Sequence, residues 1–281
     1  MPAFETPEPI LATIEVTVGD LRIAARDRTD TVVEVRPSDP SHEPDVRAAE
    51  QTRVEMTSDG LMVKGPKQRG LPLFGKPGSV DVAVDVPTAS RLRADAGVAA
   101  LRSTGRLADC RAKIGAGEID LENTGPANLT IGAGGISVGV VSGRAEIHSS
   151  TGPVQLTEID GPAVIRNANG EIWIGAVTGN LQLSASNGAI SVDRADGDVT
   201  AKTANGSLRI GRVSRGMTSL TTSMGEIEIG IAAGTAALVD AQTKLGSVRN
   251  GLGATDRPEP ADETAEVHAR TSFGDIVIRR A

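Results

Sequence analysis

Aromatic residues are almost missing from this sequence, which contains no tyrosine, one tryptophan and three phenylalanines. Globular cores normally obtain much of their buried area from aromatic side chains. A core in this chain must therefore be built from small aliphatic side chains. Glycine, by contrast, is abundant, with 33 among the 281 residues, which is well above average usage.

Cysteine and long apolar runs are also scarce. Cys110 is the single cysteine, so no intramolecular disulfide can form, and we interpret it as a small buried apolar side chain. No stretch approaches the roughly 20 apolar residues that a membrane helix needs, and residues 1–9 lack the basic and apolar segments of a signal peptide. These absences predict a cytoplasmic protein without membrane insertion. The net charge of −7 offers no attraction to nucleic acid.

A glycine recurs every nine residues from Gly125 to Gly206. Small or apolar residues stand two and four positions after nearly every glycine, as Ile172 and Ile174 do after Gly170. Units with two large aliphatic residues alternate with units of smaller ones, so the true period is about eighteen residues. One unit buries only a narrow face and cannot fold alone, whereas stacked units bury a continuous core.

This pattern predicts an all-β fold, namely a right-handed parallel β-solenoid with about 18 residues and two strands per coil. Irregular β caps are expected at both ends, because open strand edges are normally covered. The competing fold is an antiparallel meander or sandwich. It is disfavoured because hairpins do not require two unit types to alternate in strict register.

The glycines mark corners of the coil, where a positive φ or a close backbone approach is needed. Asparagine precedes glycine at the same corner in three successive coils, and these side chains are expected to stack as an amide ladder. The predicted corner residues are Gly134, Gly152, Gly170, Gly188, Gly206 and Gly225, with Asn169, Asn187 and Asn205.

We expect one continuous domain in three parts. An N-terminal β cap with entry strands covers residues 1–96, the solenoid covers 97–250, and a loop with capping strands covers 251–281. Local patterns in the first part predict strands at 11–18, 31–36 and 79–86, helical turns at 45–51 with Asp45 as N-cap, and a hairpin at 54–64. Surface loops are expected at 65–78 and 252–265.

Three stretches carry a resemblance to a known family: Gly19 to Ile23 after an alternating entry strand, Asn187 to Val192, and Ser272 to Ile278. In these stretches the chain resembles the bacterial putative-adhesin domains called toastrack β-strand-repeat proteins, and the resemblance extends over about residues 10–281. It implies a β-solenoid type of domain with no catalytic residues to carry over. The Ala, Arg, Asp, Gly and Val content is typical of an actinobacterial protein.

Motifs for catalysis or for cofactor binding are not found. A calcium-binding nonapeptide roll needs an aspartate in every turn, and this repeat carries Ser, Thr, Ala or Asn there. His42, His148 and His268 have no second ligand at metal-binding spacing. The outward carboxylates form no compact pair of the kind that glycosidases use; they are Glu118, Asp120, Glu171, Glu226 and Glu228. We therefore predict no catalytic residue, no metal and no cofactor.

Trp173 is the side chain that stands out, because it lies between Ile172 and Ile174 and should face outward. In neighbouring coils Gln155 and Ser191 should flank it, and these three residues form the predicted binding site. An outward tryptophan is either a hot spot for a partner or ligand, or it packs beneath an N-terminal or corner loop.

The favoured function is a non-enzymatic structural or interaction scaffold, an adhesin-like β-solenoid that presents a flat recognition surface to an unknown protein or glycan partner. One alternative is a self-assembling, bactofilin-like polymer, in which copies would join through the ends of the solenoid as a homo-oligomer. A less favoured alternative is a degenerate carbohydrate-active enzyme.

Overall fold

The computed structural model describes residues 2–66, 77–253 and 263–281, and their regular structure is almost entirely β-strand. The chain divides into two compact units, called here unit 1 (Met1–Ser142) and unit 2 (Gly143–Ala281). The surface loops expected at 65–78 and 252–265 fall largely on residues 67–76 and 254–262, which lie outside the described residues. The boundaries expected after residues 96 and 250 stay predictions.

Unit 1 contains one helix and ten strands in its described residues. These are β1 Ala3–Glu5, β2 Leu11–Arg26, β3 Asp30–Pro37, α1 Glu43–Gln51, β4 Arg53–Thr57, β5 Gly60–Lys64, β6 Val80–Pro87, β7 Arg91–Leu107, β8 Asp109–Thr124, β9 Ala127–Ala133 and β10 Ile136–Ser142.

Three long strands, β2, β7 and β8, form the parallel centre of unit 1. Leu92 on β7 lies opposite Ala12 on one side and opposite Cys110 on the other. The chain then continues from β8 to β9 and β10, which both pair with β8 in parallel. Because Leu92 and Cys110 are 18 residues apart, the predicted coil length is confirmed in this unit.

The other side of β2 is covered by less regular strands. β5 and β6 pair in parallel with the first and second halves of β2. β3 then adds to β6, and β1 to β3, in antiparallel orientation. β4 and β5 form the expected hairpin, with Met56 opposite Leu61. The predicted irregular β cap is confirmed here.

The helix α1 is present, but its predicted N-cap is wrong. His42 occupies the N-cap position without a side-chain hydrogen bond, and Asp45 lies in the first turn. The Asp45 carboxylate accepts the backbone N–H groups of Ser79 at 3.0 Å and Asp39 at 3.1 Å, and it contacts His42 Nδ1 at 2.7 Å. The bond from Ser79 is the main reason that the pKa of Asp45 lies below its usual value. This buried carboxylate ties the helix to the chain before β6 instead of capping it.

Unit 2 contains fourteen strands in its described residues. These are β11 Ala145–Thr151, β12 Val154–Asp160, β13 Ala163–Asn169, β14 Ile172–Val177, β15 Leu181–Asn187, β16 Ile190–Ala195, β17 Val199–Asn205, β18 Leu208–Val213, β19 Gly216–Met224, β20 Ile227–Ile231, β21 Thr235–Leu245, β22 Val248–Asn250, β23 Glu263–Phe273 and β24 Ile276–Arg280.

Even-numbered strands of unit 2 stack in parallel and build one buried column of aliphatic side chains. Val154 lies opposite Ile172, and Ile172 opposite Ile190. The step is 18 residues up to Leu208 and 19 to Ile227, because the glycine spacing lengthens between Gly206 and Gly216. This pairing confirms the parallel β-solenoid and excludes the antiparallel alternative for unit 2. The right-handed sense of the coil stays a prediction.

Odd-numbered strands form the second face of each coil, and their inward residues are smaller. They stack in one buried column, as the alternation of unit types predicts; its members are Ala145, Ala163, Leu181, Val199 and Thr218. The two faces together enclose a thin core without aromatic side chains, as the composition requires.

The C-terminal end of unit 2 differs from the expected order. β23 pairs with β19 on one side and with β21 on the other, and β24 lies between β20 and β22 in the same way. The last segment of the chain is therefore an inserted layer, and β21 with β22 forms the outermost one. The expectation that residues 251–281 provide the capping strands is wrong for the described residues 263–281.

Side-chain polarity explains this order. The inserted layer carries Val267, Ile276 and Ile278 in its inward positions, and all three are buried. The outermost layer places Val248 and Asn250 in the corresponding columns, and both are exposed. An asparagine buried in the aliphatic column would lose its hydrogen bonds to water, so the more apolar layer lies inside.

Candidate functional site

Trp173 lies on β14, on the outer face that the even-numbered strands form in unit 2. Its strand neighbours Ile172 and Ile174 point inward and are buried, while the indole is 37% exposed. Gln155 on β12 and Ser191 on β16 lie directly opposite Trp173. The structure therefore brings the three residues of the predicted binding site together.

The indole lies along its own strand toward Gly175. Its Cη2 atom is 3.4 Å from the position that a Cβ atom would occupy on Gly175. The nearest atom to that position is the backbone carbonyl oxygen of Thr157, at 2.5 Å, so the adjacent strand requires glycine at residue 175, and the ring lies at ordinary van der Waals distance from it. The result is an exposed aromatic surface with an amide on one side and a hydroxyl on the other.

Charged side chains continue this face beyond Ser191. Arg209 lies opposite Ser191 and approaches Glu228 at 3.6 Å, while Glu228 also accepts a hydrogen bond from Arg279 at 2.8 Å. Exposed ion pairs of this kind contribute little to stability, about 0–1 kcal/mol. The two arginines share the single carboxylate of Glu228, so this group carries one net positive charge.

The corner residues form a second regular feature. All six predicted corner glycines have a positive φ, from 127° at Gly134 to 153° at Gly206. The expected amide ladder is present, because Asn187 Nδ2 donates to Asn169 Oδ1 and Asn205 Nδ2 donates to Asn187 Oδ1, each at 2.8 Å. The three amides are exposed and bond to one another, so they support the corner rather than bind a ligand.

A buried polar row beside these corners was not predicted from the sequence. Thr222 Oγ1 donates to the carbonyl of Gly206 at 3.0 Å, and Thr271 Oγ1 to that of Gly225 at 3.1 Å. Asn167 Nδ2 donates to the carbonyl of Gly152 at 2.9 Å. Each of these side chains stands three residues before a corner glycine and bonds to the equivalent glycine of the adjacent coil. That spacing, Thr/Asn-x-x-Gly, is the signal that could have revealed the row. Ser149 has the same spacing, but its buried Oγ has no hydrogen-bond partner among the described residues.

Each histidine lies beside a carboxylate, and His268 lies beside two, since its Nδ1 is also 3.5 Å from Asp240. His42 contacts Asp45, His148 lies 3.5 Å from Glu146, and His268 lies 2.8 Å from Glu266. Over residues 2–66, 77–253 and 263–281, no group of three or more His, Cys, Asp or Glu side chains is arranged to hold a metal ion.

Cys110 is fully buried in β8, and burial raises the pKa of its thiol to about 12. The thiolate is the reactive form of cysteine, so we expect the native protein not to react with a disulfide reagent at pH 8 and to react fully once it is denatured. A colorimetric thiol assay with and without denaturant measures this. Rapid labelling of the native protein would contradict the burial of this side chain.

A groove of about 590 Å³ lies at the beginnings of β19, β21 and β23, with Met217, Leu238, Glu266 and Arg280 among its lining residues. Its two charged groups already have partners. Glu266 holds His268, and Arg280 Nη1 donates to the carbonyls of Ala232 at 3.0 Å and Thr235 at 2.8 Å. Within the described residues, no helix is long and apolar enough to cross a bilayer.

Neither a family model nor a curated protein matches the chain significantly. Solved structures with similar architecture include a putative adhesin from Parabacteroides merdae, with 12% identity over 98% of this chain and 95% of the other and a TM-score of 0.37. A putative lipid binding protein from Parabacteroides distasonis has 13% identity, coverage of 100% and 95% and a TM-score of 0.32. A putative cell adhesion protein from Clostridium sporogenes has 11% identity, coverage of 100% and 98% and a TM-score of 0.22.

With TM-scores below 0.5 and identities of 13% or less, these similarities assign neither a family nor a function to this chain.

Proposed function

We propose that this chain is a non-enzymatic interaction scaffold, a β-solenoid whose outer face in unit 2 recognises a glycan or protein partner at Trp173. The observation that supports this is the exposed indole over Gly175, flanked by Gln155 and Ser191. Tryptophan offers a large rigid apolar area and is enriched among residues that dominate binding energy. A planar ring between an amide and a hydroxyl suits a ligand with an apolar face and polar edges, as a sugar ring has.

The outward carboxylates support a non-enzymatic role. Glu118 lies 3.6 Å from Arg102, and Glu228 is shared by Arg209 and Arg279. Glycosidases place two free carboxyl groups about 5–9.5 Å apart across the scissile bond, whereas Glu118 and Glu228, two of the five outward carboxylates, are held by arginines. Within the described residues no observation favours the degenerate enzyme or the bactofilin-like polymer.

Trp173 is the single tryptophan of the chain, so intrinsic fluorescence reports on this site alone. We expect sugars that bind the face to shift or quench the Trp173 emission in a saturable way. Screening the purified chain on a glycan array selects candidate ligands, and titration of each soluble candidate then measures affinity. If the array gave no specific signal, a protein partner would be the occupant of the Trp173 face. A ligand that binds without changing the Trp173 emission would contradict the proposed site.

Replacing Trp173 by alanine tests whether the indole serves binding or packing. Because the ring is more than a third exposed, we expect the unfolding free energy to fall by only about 2 kcal/mol while ligand binding is lost. Gln182→Ala is the matched control, because Gln182 is also an exposed large side chain but lies on β15, on the face formed by the odd-numbered strands. A stability loss above about 3 kcal/mol for Trp173→Ala, with binding retained, would show that the ring packs beneath a loop.

A further inference from the structure

We propose that the outer edge of β21 (Thr235–Leu245) pairs with the same edge of a second copy, in an antiparallel arrangement with two-fold symmetry. This inference does not depend on the function of the Trp173 face. It follows from the backbone, the charges and the exposed apolar side chains of the outermost layer of unit 2.

β21 is an unusually long exposed edge. Its 11 residues pair with β23 on one side, and no described residue pairs with it on the other. Leu245 accepts its ladder hydrogen bond from Gly274, so the odd-numbered residues of β21 direct their backbone groups toward β23. The even-numbered residues from Ala236 to Lys244 therefore direct their N–H and C=O groups to the open edge. Such an edge is a template for another strand.

Unit 1 shows how the same chain covers a strand edge elsewhere. There β6 pairs with the second half of β2, and β3 and β1 follow in antiparallel orientation. No equivalent antiparallel strands are found beside β21 in the described part of unit 2. The edge of β21 is instead accompanied by exposed apolar side chains.

An apolar stripe leads along one corner to this edge. Met224, Phe273 and Leu245 lie opposite one another on β19, β23 and β21, and they are 52%, 54% and 63% exposed. The stripe continues the column in which the preceding coils carry the exposed asparagine ladder. The change from amide to apolar side chains occurs only in the three layers nearest the open edge, which indicates that this end is covered in solution.

The charges on β21 select one register. Centring the two-fold axis on Gln242 places Asp240 opposite Lys244 of the second copy, twice by symmetry, and places Val239 opposite Leu245 of the second copy. Opposite charges facing each other across strands stabilise a pair, and like charges destabilise it. A register centred on Asp240 would set two carboxylates against each other. Lys244 forms no ion pair among the described residues, so it is available for this contact. Asp240 already accepts hydrogen bonds from Arg270 at 3.2 Å and Gln242 at 3.1 Å, so Lys244 of the second copy would be a second cation beside the same carboxylate.

In the Gln242-centred register, even-numbered residues of one strand face even-numbered residues of the other. These are the residues whose backbone N–H and C=O groups point to the open edge. Three facing pairs would each exchange two bonds, giving about six backbone hydrogen bonds in all. A two-fold interface uses the same surface on both copies and closes on itself. The product is therefore a dimer rather than a filament.

Disulfide trapping tests the register directly. In a hydrogen-bonded antiparallel pair the facing Cα atoms are about 5.5 Å apart, which is within the range that a disulfide spans. We expect Gln242→Cys to form a covalent dimer of the full chain under mild oxidation. The native Cys110 is buried and does not compete. Lys202→Cys is the control, because residue 202 is exposed on β17, which has strands on both sides.

Sedimentation equilibrium of the unmodified chain measures the association itself. We expect a species of twice the chain mass that dissociates on dilution, and we expect Lys244→Glu to weaken the dimer at least tenfold because it sets a second carboxylate against Asp240. Lys202→Glu makes the same charge change away from the edge and should leave the dimer unchanged. A monomer at every concentration, a series of larger species, or equal cross-linking of the Gln242→Cys and Lys202→Cys variants would each overturn the proposal.

Discussion

Replacing Gly188 by alanine is expected to destabilise unit 2 by about 3 kcal/mol or more, because it combines backbone strain with a steric overlap. Gly188 has a φ of 139°, which residues with a side chain rarely adopt. A Cβ atom built there would overlap the carbonyl oxygen of Gly170, the corner glycine of the preceding coil. That oxygen belongs to the backbone and cannot rotate away. Urea-induced unfolding followed by circular dichroism measures the loss.

Gly234→Ala separates the two contributions. Gly234 also has a positive φ, 81°, but a Cβ atom there would meet nothing within 4 Å. We expect this variant to lose only about 1–2 kcal/mol from strain. If Gly188→Ala lost no more than Gly234→Ala, close approach between stacked corners would not be the reason for glycine at these positions.

Much of the fold could be predicted because the repeat encodes register. Strands that pair with the equivalent strand one coil away place residues 18 positions apart side by side, so spacing alone predicts that Val154, Ile172 and Ile190 are neighbours. They are paired as predicted. The same register predicted that Gln155 and Ser191 flank Trp173. The orientation of the indole over Gly175 was not predictable, because side-chain torsions are not set by the repeat.

The buried polar row escaped prediction for a different physical reason. Hydropathy marks Thr203, Thr222 and Asn167 as surface residues, and each would be costly to bury alone. In the folded coil their side chains reach the carbonyl of a corner glycine, and this bond offsets the cost for the threonines. For Asn167 it offsets only part of the cost, because Asn167 Oδ1 is buried without a partner among the described residues. The partner lies in another coil, so a local pattern of polarity does not reveal it.

The order of the C-terminal layers could not be predicted from the repeat either. β21 and β23 both carry small or apolar residues at alternate positions, and either could pair with β19. Which of them pairs depends on the polarity of the complete layer. The layer of β21 includes Val248 and Asn250 on β22, whereas the layer of β23 includes Ile276 and Ile278 on β24. Solenoid coils normally stack in the order in which they are encoded. Sequence order therefore predicted residues 251–281 as the outermost layer, whereas the described residues 263–281 form an inner one.

Replacing Ile174 by alanine is the second change with a large expected effect, a loss of about 2–5 kcal/mol. Ile174 is completely buried on β14, between Leu156 and Val192. The backbones on both sides are held by ladder hydrogen bonds about 4.8 Å away, so they cannot move in to fill the space. The core contains no aromatic side chain that could swing into the cavity. The measurement is again urea-induced unfolding, with hydrogen exchange to locate the loosened coils.

Ser184→Ala is the matched control, because Ser184 is exposed on the neighbouring strand β15. It should change stability by less than about 0.5 kcal/mol. Since each coil contacts only its neighbours, faster exchange in Ile174→Ala should centre on β12, β14 and β16 and fade with distance along unit 2. Uniform loosening of the whole unit, or a loss equal to that of Ser184→Ala, would contradict a core built from columns of aliphatic side chains that stabilise one another locally.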